Sequence, residues 1–211
     1  MTLEHPARTS RTGLRLYSRR LMLRPLVAQD FDQWSSVRLR NVEWLTKWEP
    51  LRQPFHPDPE RDRDVFVARC SLRERERQSG TQYAFGIFLD GKFIGEINLN
   101  NVVRGSLQAG TIGYWVDQAH AGHAYMSEAV VSLMRYAFDE LHLHRIEVCI
   151  IPHNRNSHRV VDKIGLRNEG VALRFLEING VWEDHVRYAI TVEEWHARAA
   201  DLTTTWLGAA H

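Results

Sequence analysis

The sequence predicts an α/β (α+β) domain in which helices pack on one mixed sheet. Two observations carry this. Pairs of alternating apolar runs meet at Asp90-Gly91 and again at Asn179-Gly180, the residues that two-residue hairpin turns require. Between those hairpins, apolar runs with no tight turn alternate with segments of helical period. A length of 211 residues with 44% hydrophobic content suits one compact domain with a substantial core rather than two domains. We divide the chain into a flexible N-terminal segment at 1–18, the domain at 19–200 and a C-terminal tail at 201–211.

The elements follow in order. RRLMLRPL (19–26) reads as a first strand, and Asp30 or a neighbour starts a helix carrying Phe31, Trp34, Val37 and Leu39. Trp44, Trp48 and Pro50 mark an irregular aromatic connection. The stretch 56–80 is a charged, solvated helix with Asp58 as N-cap, Pro59 in the first turn and Gly80 as its stop. Residues 81–102 form the first hairpin and 109–116 a further strand. A helix begins near Tyr125, a strand runs over 144–152, and a short helix covers 155–166. The second hairpin spans 171–191, and EEWHARAADLTTTWL closes the chain as a helix.

Charge narrows the function classes. With 27 Lys plus Arg against 26 Asp plus Glu, no basic field across the chain points to nucleic acid or an anionic membrane. No apolar run approaches the ~20 residues of a membrane span, and MTLEHPARTSRTG lacks the apolar block of a signal peptide. We therefore expect a cytoplasmic protein, monomeric or homodimeric. Cys70 and Cys149 stand alone, without C-x-x-C spacing, which fits a reducing compartment, and neither reads as catalytic. His120, His123, His142, His144, His153 and His158 share no metal-ligand spacing, so we expect no metal.

The chemistry begins at YWVDQAHAGHAYM (114–126). Gly122 and Ala124 lie between the end of a strand and the start of a helix, whose first N–H groups have no partner within the helix. Small residues there let phosphate oxygens approach those donors. Plain chain punctuation is the competing reading of the same residues. Neither G-x-x-x-x-G-K-[ST] nor G-x-G-x-x-G is present, so a mononucleotide or dinucleotide fold is not supported.

The stretch VCIIPHNRNSHRVVDKIGLRNEG (148–170) adds a second signal. Its N-x-x-S-x-R-V-x-x-K-x-G-[FL] pattern consists of Asn154, Ser157, Arg159, Val160, Lys163, Gly165 and Leu166. With the preceding strand, turn and helix, it resembles the GNAT acetyltransferases, in particular the RimJ and RimL branch of ribosomal-protein-alanine N-acetyltransferases. Glu169-Gly170, Asn179-Gly180, Asp184-His185 and ITVEEW extend the resemblance, which spans about 19–196. It implies the GNAT fold: a mostly antiparallel sheet whose central parallel strands, here 111–116 and 145–150, splay apart around the pantetheine of acetyl-CoA. It implies Tyr114, Trp115 and Val116 along that arm, and Gly122, His123, Ala124, Tyr125 and Met126 at the pyrophosphate. Asn154 would bond the pantetheine amides, and Ser157 would lie near the thioester sulfur as proton donor to the departing thiolate. The pattern departs from the family at the phosphate turn, where Ala119 and Ala121 stand in positions that many relatives fill with Gln or Arg, leaving His123 or a distant Arg to meet the charge.

Direct transfer from acetyl-CoA to an amine needs orientation and a proton path, and no enzyme nucleophile. An α-amine, with a reference pKa near ~7.7–8.0, is partly neutral at pH 7, whereas lysine near ~10.4 needs more help. That favours the N-terminal α-amine of a protein or peptide, an Ala or Ser end of a ribosomal protein being what the resemblance implies. A polyamine or antibiotic amine, or a binding module without turnover, stay as alternatives. Strand alternation places Glu96, Asn98 and Asn100 on one face and Phe93, Ile97 and Leu99 on the other. Glu96 is the candidate general base, directly or through a water, against the alternative of a solvated hairpin carboxylate. Where one branch of the family carries a later glutamate, this chain has Leu176 followed by Glu177. Trp34, Trp44 and Trp48 wall an acceptor cleft or simply pack, and Arg174 and Asp184 orient an acceptor or pair on the hairpin.

Overall fold

The computed structural model describes residues 13–53, 55 and 57–208. Eight strands form one sheet: β1 (Leu16–Tyr17), β2 (Leu21–Arg24), β3 (Tyr83–Leu89), β4 (Lys92–Val103), β5 (Ala109–Val116), β6 (Arg145–Ile150), β7 (Arg167–Ile178) and β8 (Val181–Thr191). Their order is β1-β2-β3-β4-β5-β6-β8-β7, and every neighbouring pair is antiparallel except β5 and β6. Six α-helices accompany them among the described residues: α1 (Phe31–Arg40), α2 (Val42–Leu45), α3 (Arg63–Gln78), α4 (Tyr125–Arg135), α5 (Arg155–Ile164) and α6 (Val192–Trp206). β1 falls inside the segment expected to precede the domain, and α6 carries ordered helix past residue 200. Residues 1–12 of that segment and 209–211 of the tail lie outside the described residues.

Local chemistry sets the boundaries. Both hairpins turn where expected: Asp90 and Gly91 have φ of 49° and 76°, Asn179 and Gly180 of 48° and 81°, the left-handed pair that matches the twist of the flanking strands. The expected start of the charged helix is corrected. α3 is capped by Asp62, whose carboxylate accepts from the N–H groups of Asp64 and Val65 at 2.9 and 3.2 Å, worth ~1 kcal/mol. Asp58 instead closes a separate turn, its carbonyl accepting from Arg61 and Asp62 and its carboxylate from the Glu60 N–H. The aromatic connection also holds more structure than expected, since α2 and a single 3-10 turn at Thr46–Trp48 occupy it.

Two apolar clusters sandwich the sheet. On one face α4, α5 and α6 pack against Leu23, Ile97, Leu99, Ile112, Ile146 and Val148. On the other, Trp34 and Val37 of α1 and Phe66 of α3 pack with Phe88 and Phe93. Phe93 thus sits on the face opposite to Ile97, contrary to simple alternation. Register explains it: Ile87 faces Gly95 while Phe88 faces Phe93, so Ile94 is an extra residue and the strand changes face at this bulge. α4 is buried from Met126 through Met134, mostly by apolar residues, with Ser127, Glu128 and Ser132 as its buried polar positions.

Candidate functional site

The cleft forms where the parallel pair parts. β5 and β6 are bonded only from Ala109–Thr111 to Arg145–Glu147, although β5 continues to Val116 and β6 to Ile150. Beyond Thr111 the facing backbones separate, and a cleft of about 540 Å³ opens between them. Tyr114, Trp115 and Val116 line it from β5, Gly122, Ala124, Tyr125 and Met126 from the turn into α4, and Asn154 and Ser157 from the start of α5. These predicted site residues are therefore brought together. His123 and Glu96 are not among the lining.

The turn is shaped by backbone. Gly122 has φ of +85° with open space where a Cβ would stand, and Ala124, the N-cap of α4, has φ of +62°. Ala124 has no side chain able to cap, so the first N–H groups of α4 are left to other acceptors. A strut holds the turn from outside the cleft. Arg20 donates to the His123 carbonyl at 3.2 Å, lies 4.4 Å over the Tyr125 ring and pairs with buried Glu128 at 2.8 Å. This fixes His123 by its carbonyl, while its ring lies 5.6 Å from the Tyr125 ring. Upstream, buried Asp117 accepts from Arg40, Asn41, His120 and the Ala119 N–H. Burial opposes its charge, but these bonds outweigh that and hold the carboxyl down to about 2.

The opposite wall is the N-terminus of α5. Asn154 caps it, with Oδ1 accepting from the Ser157 N–H at 3.2 Å, which leaves the amide nitrogen for a ligand. Ser157 itself is not the cap. Its carbonyl accepts from the Tyr114 hydroxyl at 3.3 Å, and burial pushes the Tyr114 phenol up, so that it stays a donor. His158 ties the same turn inward, between the Tyr188 hydroxyl at 2.9 Å and the Ile151 carbonyl at 3.2 Å.

Glu96 stands elsewhere for a clear reason. It is 1% exposed, accepts from Trp34 Nε1, and pairs with Arg69 at 2.6 Å on the α1 and α3 side of the sheet. It is neither a solvated carboxylate nor part of the cleft lining; it faces a second cavity of about 470 Å³ under α3. Leu176 and Glu177 lie on exposed β7, and Asp184 accepts from the backbone N–H of Arg174 at 2.8 Å, so the hairpin link is not a side-chain ion pair. Trp44 and Trp48 do line the cleft, Trp44 donating to the Val116 carbonyl at 3.1 Å. Trp34 packs away from it.

The sequence analysis assigns no site role to Asn98, Ser127, Arg159 or Lys163, which also line the cleft. Asn98 Oδ1 and Ser127 Oγ are buried atoms with no hydrogen-bond partner, a costly state that fits a ligand-binding cleft. A serine inside the apolar run of α4 was the available signal. Among the described residues no group of three His, Cys, Asp or Glu could hold a metal, and no helix is long and apolar enough to cross a membrane. Cys70 and Cys149 are free, and burial raises both thiols, Cys70 to about 11.

Among the described residues the sheet opens at its one parallel pair, onto the uncapped start of a buried helix, which is the place for an elongated ligand with anionic groups. The acetyltransferase (GNAT) domain family matches residues 20–167, and the chain belongs to it as an N-acetyltransferase. It is 36% identical over 177 residues to the probable N-acetyltransferase YjcK of Bacillus subtilis, covering 83% of this chain and 96% of that one. It is 34% identical over 186 residues to the [ribosomal protein uS5]-alanine N-acetyltransferase of Escherichia coli, covering 86% and 93%. Among solved structures it resembles Mycobacterium smegmatis RimJ in complex with CoA-disulfide, with a TM-score of 0.79 and 32% identity over 90% of this chain and 94% of that one.

Proposed function

We propose that the protein transfers the acetyl group of acetyl-CoA to the N-terminal α-amine of a protein, a ribosomal protein ending in Ala or Ser being the preferred class of acceptor. The observation that carries this is the cleft between the parted strands, with its unpartnered Ser127 and Asn98 oxygens, in a chain one-third identical to a uS5-alanine N-acetyltransferase. The acceptor's source, the ribosome, places the work in the cytoplasm.

Each wall has a role in this reading. The N–H groups at the start of α4 and the Ser127 hydroxyl take the pyrophosphate. Arg159 and Lys163, one helical turn apart on α5, supply the positive charge that Ala119 and Ala121 do not. Unpaired backbone of β5 and β6 and the Asn154 amide nitrogen hold the pantetheine. Acetyl-CoA supplies an acetyl group already activated as a thioester. The neutral amine forms the new C–N bond, the C–S bond breaks, and the Ser157 hydroxyl donates a proton to the departing sulfur. The amine's own proton leaves to water, which re-protonates Ser157; Glu96, committed to Arg69 and Trp34, takes no part.

The test is acetyl-CoA-dependent release of CoA thiol against peptides with free Ala or Ser N-termini, lysine peptides with blocked N-termini, and polyamines. Turnover confined to the free α-amines is the expected result. Turnover confined to polyamines would assign a small-molecule acceptor and reject the reading.

A further inference from the structure

We propose that Asn98 receives the acceptor's amino group, its side-chain oxygen accepting one N–H of the attacking amine. The inference rests on the amine-acetyltransferase reading above and names a residue that grips the nucleophile.

Glu96, Asn98 and Asn100 of β4 share a face, and both outer members are satisfied within the protein. Glu96 is held by Trp34 and Arg69, and Asn100 Oδ1 accepts from Gln82 Nε2 at 2.5 Å. Asn98 Oδ1 alone is buried with no partner, and Asn98 alone of the three lines the cleft. Its partner in register across β5 is Gly113, two residues past the last bonded pair of β5 and β6, where the strands have begun to part. A glycine there adds no side chain between Asn98 and the cleft.

Chemistry selects the occupant. A side-chain carbonyl oxygen only accepts, and so does the thioester carbonyl, which rules the latter out as its partner. The pantetheine amides have N–H groups, but the parted strands β5 and β6 offer them backbone carbonyls. A primary amine has two N–H groups and a lone pair: giving one N–H to Asn98 leaves the lone pair free for the thioester carbon. A neutral amide suits this task better than a carboxylate, because a negative charge would stabilise the protonated, unreactive ammonium.

The experiment compares wild type, Asn98→Ala and the near-isosteric Asn98→Asp, measuring acceptor kcat and KM over pH and CoA affinity by calorimetry. Asn98→Ala is expected to lower acceptor kcat/KM about ten-fold or more with CoA affinity unchanged. Asn98→Asp is expected to move the acid limb of the kcat profile, which reports groups in the enzyme–substrate complex, to higher pH, a readout that a merely structural role would not give. Unchanged acceptor kinetics in folded Asn98→Ala would overturn the proposal, as would an equal loss of CoA affinity, which would make Asn98 a ligand of the cofactor. A wild-type protein that binds acetyl-CoA yet turns over no amine would overturn the parent reading and this one with it. Active wild type with an indifferent Asn98→Ala overturns this one alone.

Discussion

Two carboxyl-derived side chains, two residues apart on one strand, divide the labour of β4. Glu96 stabilises: Trp34 and Arg69 occupy its oxygens, and the pair fastens α1 and α3 to the sheet. Asn98 is left free and faces the cleft. Removing one partner of a buried ion pair costs ~3–5 kcal/mol, and since Arg69 is a quarter exposed, roughly 1–3 kcal/mol is expected for Glu96→Gln. Denaturant unfolding should register that loss, while turnover well below the melting temperature stays near wild type. Lost turnover at unchanged stability would restore Glu96 as the base. Sequence alone could not separate these roles, because both residues read as the polar face of a hairpin strand. What distinguishes them is the indole and guanidinium arriving from positions 34 and 69, distant in sequence.

At the level of elements, the turn into α4 and the N-terminus of α5 form opposing jaws. The first depends on backbone conformation. Gly122→Val would place a branched side chain at φ of +85°, costing ~1–2 kcal/mol in strain, and would fill the approach to the uncapped N–H groups. Calorimetry should find CoA affinity reduced about ten-fold or more in a variant that circular dichroism shows folded; unchanged affinity would remove the phosphate role from this turn. Turns were legible in the sequence wherever a residue type demanded a special φ, as at Asp90-Gly91 and Asn179-Gly180. The start of α3 was not, because Asp58 and Asp62 are equally good caps by composition, and only the turn that Asp58 closes on itself decides between them. Phe93 was misplaced for a similar reason: a bulge at Ile94 leaves no mark on an alternating apolar run.

Over the whole molecule, function follows from one interruption of the sheet. Among the described residues six antiparallel strand pairs hold it together, and the single parallel pair is the one that opens. A near-neutral chain offers no long-range field to draw an acceptor, so selectivity must reside in the cleft itself. The family was legible because the spacing from Asn154 to Leu166 concentrates cap, donor and helix stop in thirteen residues. The grip on the acceptor was not, since Asn98 acquires meaning only beside Gly113 and a parted β6. The most direct measurement is tandem mass spectrometry of a peptide carrying a free N-terminal Ala and an internal lysine, after incubation with the protein and acetyl-CoA. The account predicts acetyl on the α-amine alone. Acetyl on the lysine, with the N-terminus untouched, would contradict it.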